Sequence, residues 1–420
     1  MSNHLVDSRN VDSRSQAPRF AKLWTPTEVD ADEPGLMRVQ MGPSHPAMHG
    51  TVRMDVILEG ETIRDMDVDI GYLHRGFEIQ AENATWTQVV PYTDRLNYLS
   101  SLCNNVGYVL AVEKLLGIDV TPRCKWIRMI SAEIARIADH LTALAAGALE
   151  LGGFTPMLFG IQAREEFYKV IEHLCGARLT TAYTRIGGLR WDLPDNFEAG
   201  YRKAEASLKK NLADMDKMLT RNRIFYDRMA DTGIISQEDA IEYGWTGPCL
   251  RSTGVEYDVR KAHPYLFYDK VSFDIPLGHK GDNYDRYLVR IAELRESLKI
   301  IDQCFKYMEP GPVNVDDWSI VLPPKEAVYN TIEGMIAHFK LIMEGIAVPK
   351  GEAYGYTEAA NGELGFYMVS AGVGKPWRVH CRAPCFALVQ ALKPMMLGEQ
   401  LADIIPTFDT INMIGGEIDR

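Results

Sequence analysis

The sequence predicts a mainly helical α+β protein, a helical bundle with small β elements at both ends. Apolar residues recur at helical spacing over most of residues 78–350. Strand-like alternation is confined to about residues 35–70 and to two short runs after Lys350. No repeat of solenoid period and no clean linker divides the 420 residues, which favours one intertwined unit.

Composition and charge exclude several classes of protein. The chain has 45 Lys and Arg against 57 Asp and Glu, a net charge of −12. It therefore lacks the excess of positive charge that is typical of a general nucleic-acid-binding protein. No apolar run approaches the roughly 18–20 residues that span a bilayer, and the N-terminus has no apolar signal segment. We therefore expect no direct membrane span, and any membrane association through partners.

The seven cysteines have no C-x-x-C spacing. We interpret them as reduced thiols of a cytoplasmic protein. Iron–sulfur clusters and structural zinc sites usually draw on clustered thiolates, so the pattern also argues against a metal site held by this chain alone.

The first segment, residues 1–34, is polar and is predicted to be a flexible or partner-ordered tail. Residues 35–77 are predicted to form an N-terminal β region that contains a histidine loop. Within it, a hairpin turns at Glu59-Gly60-Glu61 and its second strand covers about 62–70. The apolar residues that alternate on the first strand are Val52, Met54, Val56 and Leu58.

Residues 78–350 are predicted to form the helical bundle core. Thr121 suits an N-cap and Pro122 the first helical position. A long apolar stripe follows and ends before Gly152-Gly153. Further helices are expected over about 156–175, 283–308 and 323–345.

Residues 351–420 are predicted to form a C-terminal α/β segment packed on the core. Strands are expected over 363–370 and 377–382, and a helix over 386–397.

Two histidines lie in the run GPSHPAMHG, residues 42–50. His45 and His49 are four apart, as in a helical metal pair, but Pro46 between them makes a helix improbable. The run is therefore a shaped loop that presents imidazoles. A capped structural loop and a loop that binds a ligand or handles protons both remain open.

Arg75 and Tyr98 are the other candidates. Arg75 stands at a strand-to-helix junction, either in an ordinary cap with a surface ion pair or as a charge that biases a redox centre. Asp94 is predicted to be an N-cap and Tyr98 to lie one turn into the following helix. A tyrosine there packs in a core or an interface, or pairs with a loop imidazole to give protons to a reducible carbonyl. No nucleotide-binding or hydrolase motif is present.

Together these runs resemble one family. GPSHPAMHG, DIGYLHRGFE, PYTDRLNY, ELGGFTP, GARLTTAYTRIGGL, GELGFYMVSAG and the terminal GGEIDR occur in the family's order over about residues 37–420. The sequence is similar to the D subunits of the proton-pumping NADH:quinone oxidoreductases, respiratory complex I. That family is in turn similar to the large subunits of nickel–iron hydrogenases, which implies a fold like theirs.

The resemblance implies roles for particular residues. His49 and Tyr98 match the histidine and tyrosine that hold the quinone head group, and we place His45 in the same pocket. Glu150 matches a carboxylate that partners the histidine, although many members carry Asp there. Arg75 matches an arginine near the terminal [4Fe-4S] cluster, which the neighbouring B subunit ligates. Thr180 replaces a histidine found near that cluster in many relatives, so we expect a cluster potential with weaker pH dependence.

The hydrogenase relationship implies positions for two metal-binding cysteine pairs. They match Asn97 and Ser100, then Ile414 and Glu417. Oxygen and apolar groups replace soft thiolates there, so we expect no nickel and no other metal.

The implied function is quinone reduction. Electrons from NADH, which other subunits bind, would reach the cluster of the B subunit and reduce quinone to quinol between that subunit and this chain, coupled to proton translocation by the membrane arm. The chain would ligate no cofactor itself and would contact the B, C, H and I subunits. It would lie peripherally on the cytoplasmic side of the bacterial inner membrane and bind no nucleic acid. A hydrogenase large subunit and a non-catalytic scaffold are the alternatives.

Overall fold

The computed structural model describes residues 34–420. They form a mainly helical protein with two three-stranded antiparallel sheets and one two-stranded sheet, so the predicted fold class is confirmed. All but the last residue of the predicted tail, residues 1–34, lies outside the described residues. The seven cysteines are all buried, and within the described part of the chain none forms a disulfide.

The N-terminal sheet consists of β1 (Leu36–Met41), β2 (Arg53–Glu59) and β3 (Thr62–Asp69) in the order β1-β2-β3. Glu59 pairs with Thr62 across the predicted turn, which confirms the hairpin. The four alternating apolar side chains of the first hairpin strand are buried, as the period of two requires when one face of a sheet meets a core.

Helices make up most of the rest. In chain order they are α1 (Phe77–Asn83), α2 (Trp86–Thr93), α3 (Ser101–Leu116), α4 (Pro122–Glu150), α5 (Phe154–Cys175), α6 (Phe197–Met218), α7 (Arg223–Met229), α8 (Gln237–Glu242), α9 (Gly247–Ser252), α10 (Val259–Ala262), α11 (Asn283–Tyr307), α12 (Lys325–Asn330), α13 (Ile332–Met343), α14 (Pro384–Gln390), α15 (Leu392–Met396), α16 (Ile404–Thr410) and α17 (Gly415–Ile418). The remaining strands are β4 (Thr184–Arg185), β5 (Gly188–Leu189), β6 (Gly351–Ala359), β7 (Gly362–Ser370) and β8 (Pro376–Arg382).

Helix α4 is the central element of the bundle. Thr121 Oγ1 accepts a hydrogen bond from the backbone N–H of Cys124, 3.4 Å away, and Pro122 follows at the first helical position, as predicted. The helix packs against α3, α5, α11 and α16. Gly152, at φ 83°, ends the helical path, because glycine adopts left-handed backbone without steric cost.

The segment between α2 and α3 corrects one prediction. Residues 94–100 form a loop, so Tyr98 is not inside a helix and Asp94 is not an N-cap. Asp94 lies at the C-terminal end of α2, where its buried carboxylate accepts hydrogen bonds from Ala182 N (3.0 Å) and Asn105 Nδ2 (2.8 Å). These contacts join positions distant in sequence and override the local capping preference.

Two further helix boundaries and one strand differ from prediction. The expected helix over 323–345 divides at Thr331, whose extended backbone and side chain cap α13. The helix expected over 386–397 divides at Ala391. Strand β6 was not predicted. It pairs with β7, which pairs with β8.

Two hydrophobic cores, each built from distant segments, stabilise the chain. One joins the bundle to the sheet β6-β7-β8. The other joins the N-terminal sheet to α9 and to the C-terminal helices α14–α17. The beginning and the end of the described chain therefore share this second core. As a result, loops from both parts of the chain meet where the second core borders α4.

A buried network of ion pairs ties α4 to its neighbours. Arg251, fully buried, lies 2.7 Å from Glu293 of α11 and 2.8 Å from Glu358 of β6. Arg260 lies 3.0 Å from Glu133 of α4 and 2.6 Å from Asp258. Buried charges are costly unless they are paired, so this network fixes the relative position of the elements that carry it.

Arg251→Met should unfold more easily than the parent chain. The change leaves the Glu293 and Glu358 carboxylates buried without their shared cation, and we expect a loss of about 3–5 kcal/mol. Urea unfolding of the purified chain, followed by circular dichroism, measures this. Arg295→Met, on the exposed side of α11, is the matched control and should stay within about 0.5 kcal/mol. A loss below about 1 kcal/mol for Arg251→Met would contradict the assigned role of the network.

Candidate functional site

The histidine loop lies between β1 and β2. Pro46–Met48 form a single 3-10 turn, with Ala47 and Met48 buried as its anchors. His45 Nδ1 accepts a hydrogen bond from Ala47 N, 3.2 Å away. His49 follows the turn at φ 53° and is exposed. The loop therefore uses His45 as a structural cap and presents His49.

Tyr98 lies in the loop between α2 and α3, next to a buried amide that holds the loop. Asn97 Nδ2 donates to Asp139 Oδ2 of α4 (2.8 Å), and Asn97 Oδ1 accepts from Leu99 N (3.1 Å). Burial raises the pKa of the Tyr98 phenol, and the nearby Asp139 carboxylate raises it further.

His49 and Tyr98 line one cavity of about 150 Å³. Three further polar residues line it: Thr142 of α4, Asp409 of α16 and Asn412. The remaining lining is apolar and comes from the same elements. Apolar walls with a few convergent polar groups are typical of small-molecule sites, and an apolar cavity of roughly this volume accepts a benzene ring. The cavity thus suits one ring that carries hydrogen-bond acceptors.

A larger cleft of about 830 Å³ lies between α6 and α11. Its lining contains no histidine or tyrosine, and Lys209 and Lys299 on its rim already pair with Glu205 and Glu296. The smaller cavity is the better candidate, because proton-handling side chains converge there.

Asp139 holds the cavity loops together. Its two carboxylate oxygens accept from Asn97 Nδ2 (2.8 Å) and Asn412 Nδ2 (2.7 Å). Asp139 itself is fully buried in α4. One rigid helix therefore fixes both the loop that carries Tyr98 and the segment that carries Asn412.

A second buried acid lies next to this arrangement. The Cys385 thiol donates to Glu417 Oε2 at 2.7 Å, and Asn361 Nδ2 donates to the Cys385 sulfur at 3.2 Å. Burial raises the pKa of Glu417 to about 7, while the bond from Cys385 opposes the rise. Among the described residues, Glu417 Oε1 has no hydrogen-bond partner.

Two of the predicted pocket residues do not line the cavity. His45 is engaged as the cap of its own loop. Glu150 is the last residue of α4, one turn beyond the cavity residue Ala146. The charge of Glu150 acts instead on Asp409, which does line the cavity. Within the described part of the chain, Glu150 does not line the cavity beside His49.

The predicted residues of the cluster-facing surface are exposed. Arg75 donates from Nη2 to the Arg95 carbonyl oxygen at 2.5 Å, and its charge lowers the pKa of Tyr98 against the effect of burial. Thr180 is exposed on the segment after α5. Their roles toward a neighbouring cluster stay predictions.

Sequence reasoning missed Asp139, Asp409 and Asn412. The signal for Asp139 was available, because the pair Asp139-His140 interrupts an apolar helical stripe and a polar side chain on such a face needs a buried partner. Asp409 and Asn412 stand in a short C-terminal helix and loop with no distinctive spacing.

The structure brings together the two segments that match the hydrogenase metal-binding pairs. A Cβ atom added to Gly416 would lie 2.5 Å from the Arg95 carbonyl oxygen and 2.6 Å from that of Leu96. The side chains at the matching positions are an amide, a hydroxyl, a sec-butyl group and a carboxylate. Within residues 34–420 no group of three or more His, Cys, Asp or Glu is arranged to hold a metal ion.

Comparison with known proteins gives a consistent result. Residues 150–420 match the family model described as "Respiratory-chain NADH dehydrogenase, 49 Kd subunit". The chain is 56% identical over 401 residues to the second D subunit of NADH-quinone oxidoreductase from Anaeromyxobacter sp. (strain Fw109-5), covering 95% of this chain and 93% of that protein. It is 54% identical to the NADH-quinone oxidoreductase D subunit of Myxococcus xanthus, covering 94% and 95%. The chain belongs to the D-subunit family of the NADH-quinone oxidoreductases.

Membership makes this chain a component of an oxidoreductase complex. One relative at 47% identity, from Bdellovibrio bacteriovorus, is named as a combined C/D subunit of NADH-quinone oxidoreductase, and this chain covers 68% of it. No helix within residues 34–420 is long and apolar enough to cross a membrane.

Glu417→Gln should change how stability depends on pH. The pKa of Glu417 is about 7 in the folded chain against an ordinary 4.5. The folded state therefore binds the proton more tightly, and the parent loses stability as pH rises from 4.5 to 7. We expect Glu417→Gln to remove about 3 kcal/mol of that loss.

Urea unfolding across this pH range measures the effect. Glu326→Gln, at an exposed position of α12, should keep the parent profile. If Glu417→Gln and the parent lose stability in parallel, Glu417 is not held protonated in the fold.

Proposed function

We propose that this chain forms, together with the cluster-bearing B subunit, the site at which NADH:quinone oxidoreductase reduces quinone to quinol. The observation that carries the proposal is the convergence of His49 and Tyr98 on one ring-sized cavity. A quinone head group is a single ring with two carbonyl acceptors, which matches two donors among apolar walls. The names of the relatives, all NADH-quinone oxidoreductases, support the same chemistry.

The two donors have different chemical roles. The Tyr98 hydroxyl donates a hydrogen bond to one quinone carbonyl, and an imidazole N–H of His49 donates to the other. Because burial raises the pKa of Tyr98, the phenol holds its proton and orients the ring. His49 is exposed on its loop, so it can exchange protons with water and supply one to the reduced ring.

Electrons come from outside this chain. Reduction takes up two electrons, delivered from the [4Fe-4S] cluster that the B subunit ligates, and two protons. NADH is oxidised on other subunits, and proton translocation by the membrane arm is coupled to the reaction. Arg75 is exposed and electrostatically linked to Tyr98, which supports a position facing the cluster. The pairing of Glu150 with His49 is part of this proposal, since Glu150 ends the helix whose residues Thr142 and Ala146 line the cavity beside His49.

Exposed apolar surface supports assembly into a complex. Ile332, Phe339 and Met343 of α13 are 69%, 60% and 66% exposed. A concentrated apolar face of this kind is typical of a protein–protein contact. We propose contacts with the B, C, H and I subunits, of which the C subunit has support from the relative named C/D. In this proposal the chain lies peripherally on the cytoplasmic side of the bacterial inner membrane.

Tyr98→Phe and His49→Ala should lower NADH:quinone reductase activity. Loss of a hydrogen bond to a developing charge is worth about 1.5–3 kcal/mol, so Tyr98→Phe should slow the reaction about tenfold or more. Because His49→Ala loses a proton donor, its rate of quinone reduction should fall about a hundredfold. Membrane preparations assayed with a quinone analogue measure this, and NADH oxidation by an artificial acceptor should be unchanged.

Matched controls separate chemistry from assembly. Tyr226→Phe and His173→Ala change exposed residues outside the cavity and should keep both activities. Equal loss of both activities in the site variants would indicate an assembly defect. Full quinone turnover after both site changes would favour the non-catalytic scaffold.

A further inference from the structure

Asp409 is an acid in the cavity wall with an unpaired oxygen. It lies near the end of α16, is 7% exposed and lines the cavity with His49 and Tyr98. Its Oδ2 has no hydrogen-bond partner among the described residues. Buried polar oxygens nearly always have a partner, so an orphaned one at a cavity indicates a missing donor or acceptor.

Two arginines of α11 pack near Asp409 without an ion pair to it, and Arg290 Nε and Nη1 also have no hydrogen-bond partner among the described residues. Arg286 of α11 donates to Thr410 Oγ1 (3.0 Å) and to backbone carbonyls. Arg290 donates to the Cys249 sulfur at 3.8 Å. Both arginines border a small void that Asp409 also borders, yet neither forms an ion pair with it among the residues described.

The remaining neighbours are acids or lie across the cavity. Asp403, at the other end of α16, lies 3.6 Å from Arg228. Glu150, at the end of α4, faces Asp409 with a like charge. His49 faces it from across the cavity. Burial first, and then the Glu150 charge, raise the pKa of Asp409 well above its ordinary value.

We propose that Asp409 is a catalytic proton donor of this cavity, a neutral carboxylic acid that protonates the quinone oxygen held by Tyr98. The inference rests on the proposed function and adds a residue to it. As the two electrons arrive from the cluster of the B subunit, the O–H bond of Asp409 breaks and an O–H bond of the quinol forms. His49 supplies the second proton. The Asp409 carboxylate then takes a proton from water that enters past the exposed His49.

Acid strength favours Asp409 over Tyr98 as the donor. A phenol has an ordinary pKa near 10, and burial raises that of Tyr98 further. A carboxylic acid starts near 4, so an upward shift moves it toward the pH at which the reaction runs. Tyr98 therefore orients the ring, and Asp409 gives the proton.

Asp409→Asn tests the proposal in the assembled complex. The amide keeps the shape and can still donate a hydrogen bond, but it cannot supply a proton. We expect kcat for quinone reduction to fall about a hundredfold, with KM for the quinone analogue changed by less than about threefold. NADH oxidation by an artificial acceptor should be unchanged. Asp403→Asn, in the same helix region but outside the cavity, should behave like the parent.

Glu150→Gln gives a readout that a purely structural role would not move. In the parent, activity should fall at alkaline pH as Asp409 loses its proton. The negative charge of Glu150 raises the pKa of Asp409, so Glu150→Gln should let Asp409 lose its proton at lower pH. The fall of kcat at alkaline pH, the alkaline limb of the profile, should then begin at lower pH, even if the maximal kcat also changes. In the Asp409→Asn background, Glu150→Gln should no longer move that limb. Profiles of kcat from about pH 6 to about pH 9 measure both effects.

Specific outcomes would overturn the proposal. Parental kcat and pH profile in Asp409→Asn, while Tyr98→Phe remains slow, would exclude Asp409 as donor and leave the proposed function standing. If Asp409→Asn fails to assemble, the Glu150→Gln complex decides, since an unmoved alkaline limb there contradicts the assignment. If Tyr98→Phe and His49→Ala are also fully active, the proposed function itself fails.

Discussion

Asp139 accepts hydrogen bonds from Asn97 on one side and from Asn412 on the other, and both are short. These two amides belong to loops that are more than 300 residues apart in the chain. A single buried carboxylate therefore sets the distance between Tyr98 and the C-terminal wall of the cavity. Because Asp139 is fully buried, its oxygens must find hydrogen-bond donors within the protein, and this requirement makes the loop positions specific.

Asp139 can fix the positions of the two loops because α4, the helix that carries it, is itself held in place. Glu133, almost two turns before Asp139, is bound to Arg260 at 3.0 Å and to Arg136 at 3.1 Å. His140, next to Asp139, has its Nε2 2.8 Å from Glu293 of α11. The wall of the cavity that α4 provides thus belongs to a helix held in place by buried ion pairs and hydrogen bonds. His49, by contrast, is exposed on a loop, so the site combines a fixed wall with a proton-exchanging group at its mouth.

Local sequence signals predicted local structure. The hairpin around Gly60 and the cap at Thr121 depend on neighbours within a few residues, and the structure confirms both. Asp94 and the loop after it depend on a partner near residue 182, which no local pattern contains. The cavity residues His49 and Tyr98 came from the family resemblance, whereas Asp409 needed the three-dimensional surroundings to be recognised, since its significance lies in a missing partner.

The acids around Tyr98 suggest how protons could accompany negative charge that enters the site. Asp409 lies in the cavity wall, and Glu417 lies in the neighbouring network with Cys385. Burial raises the pKa of both, so each holds its proton to a higher pH than an ordinary carboxylic acid does. Reduction adds electrons to a ring among apolar walls, where uncompensated charge is expensive. A neutral acid can donate a proton to the ring as the ring takes up an electron, so that no net charge builds up. An arginine fixed in the same place would instead stabilise the negatively charged ring and oppose its protonation.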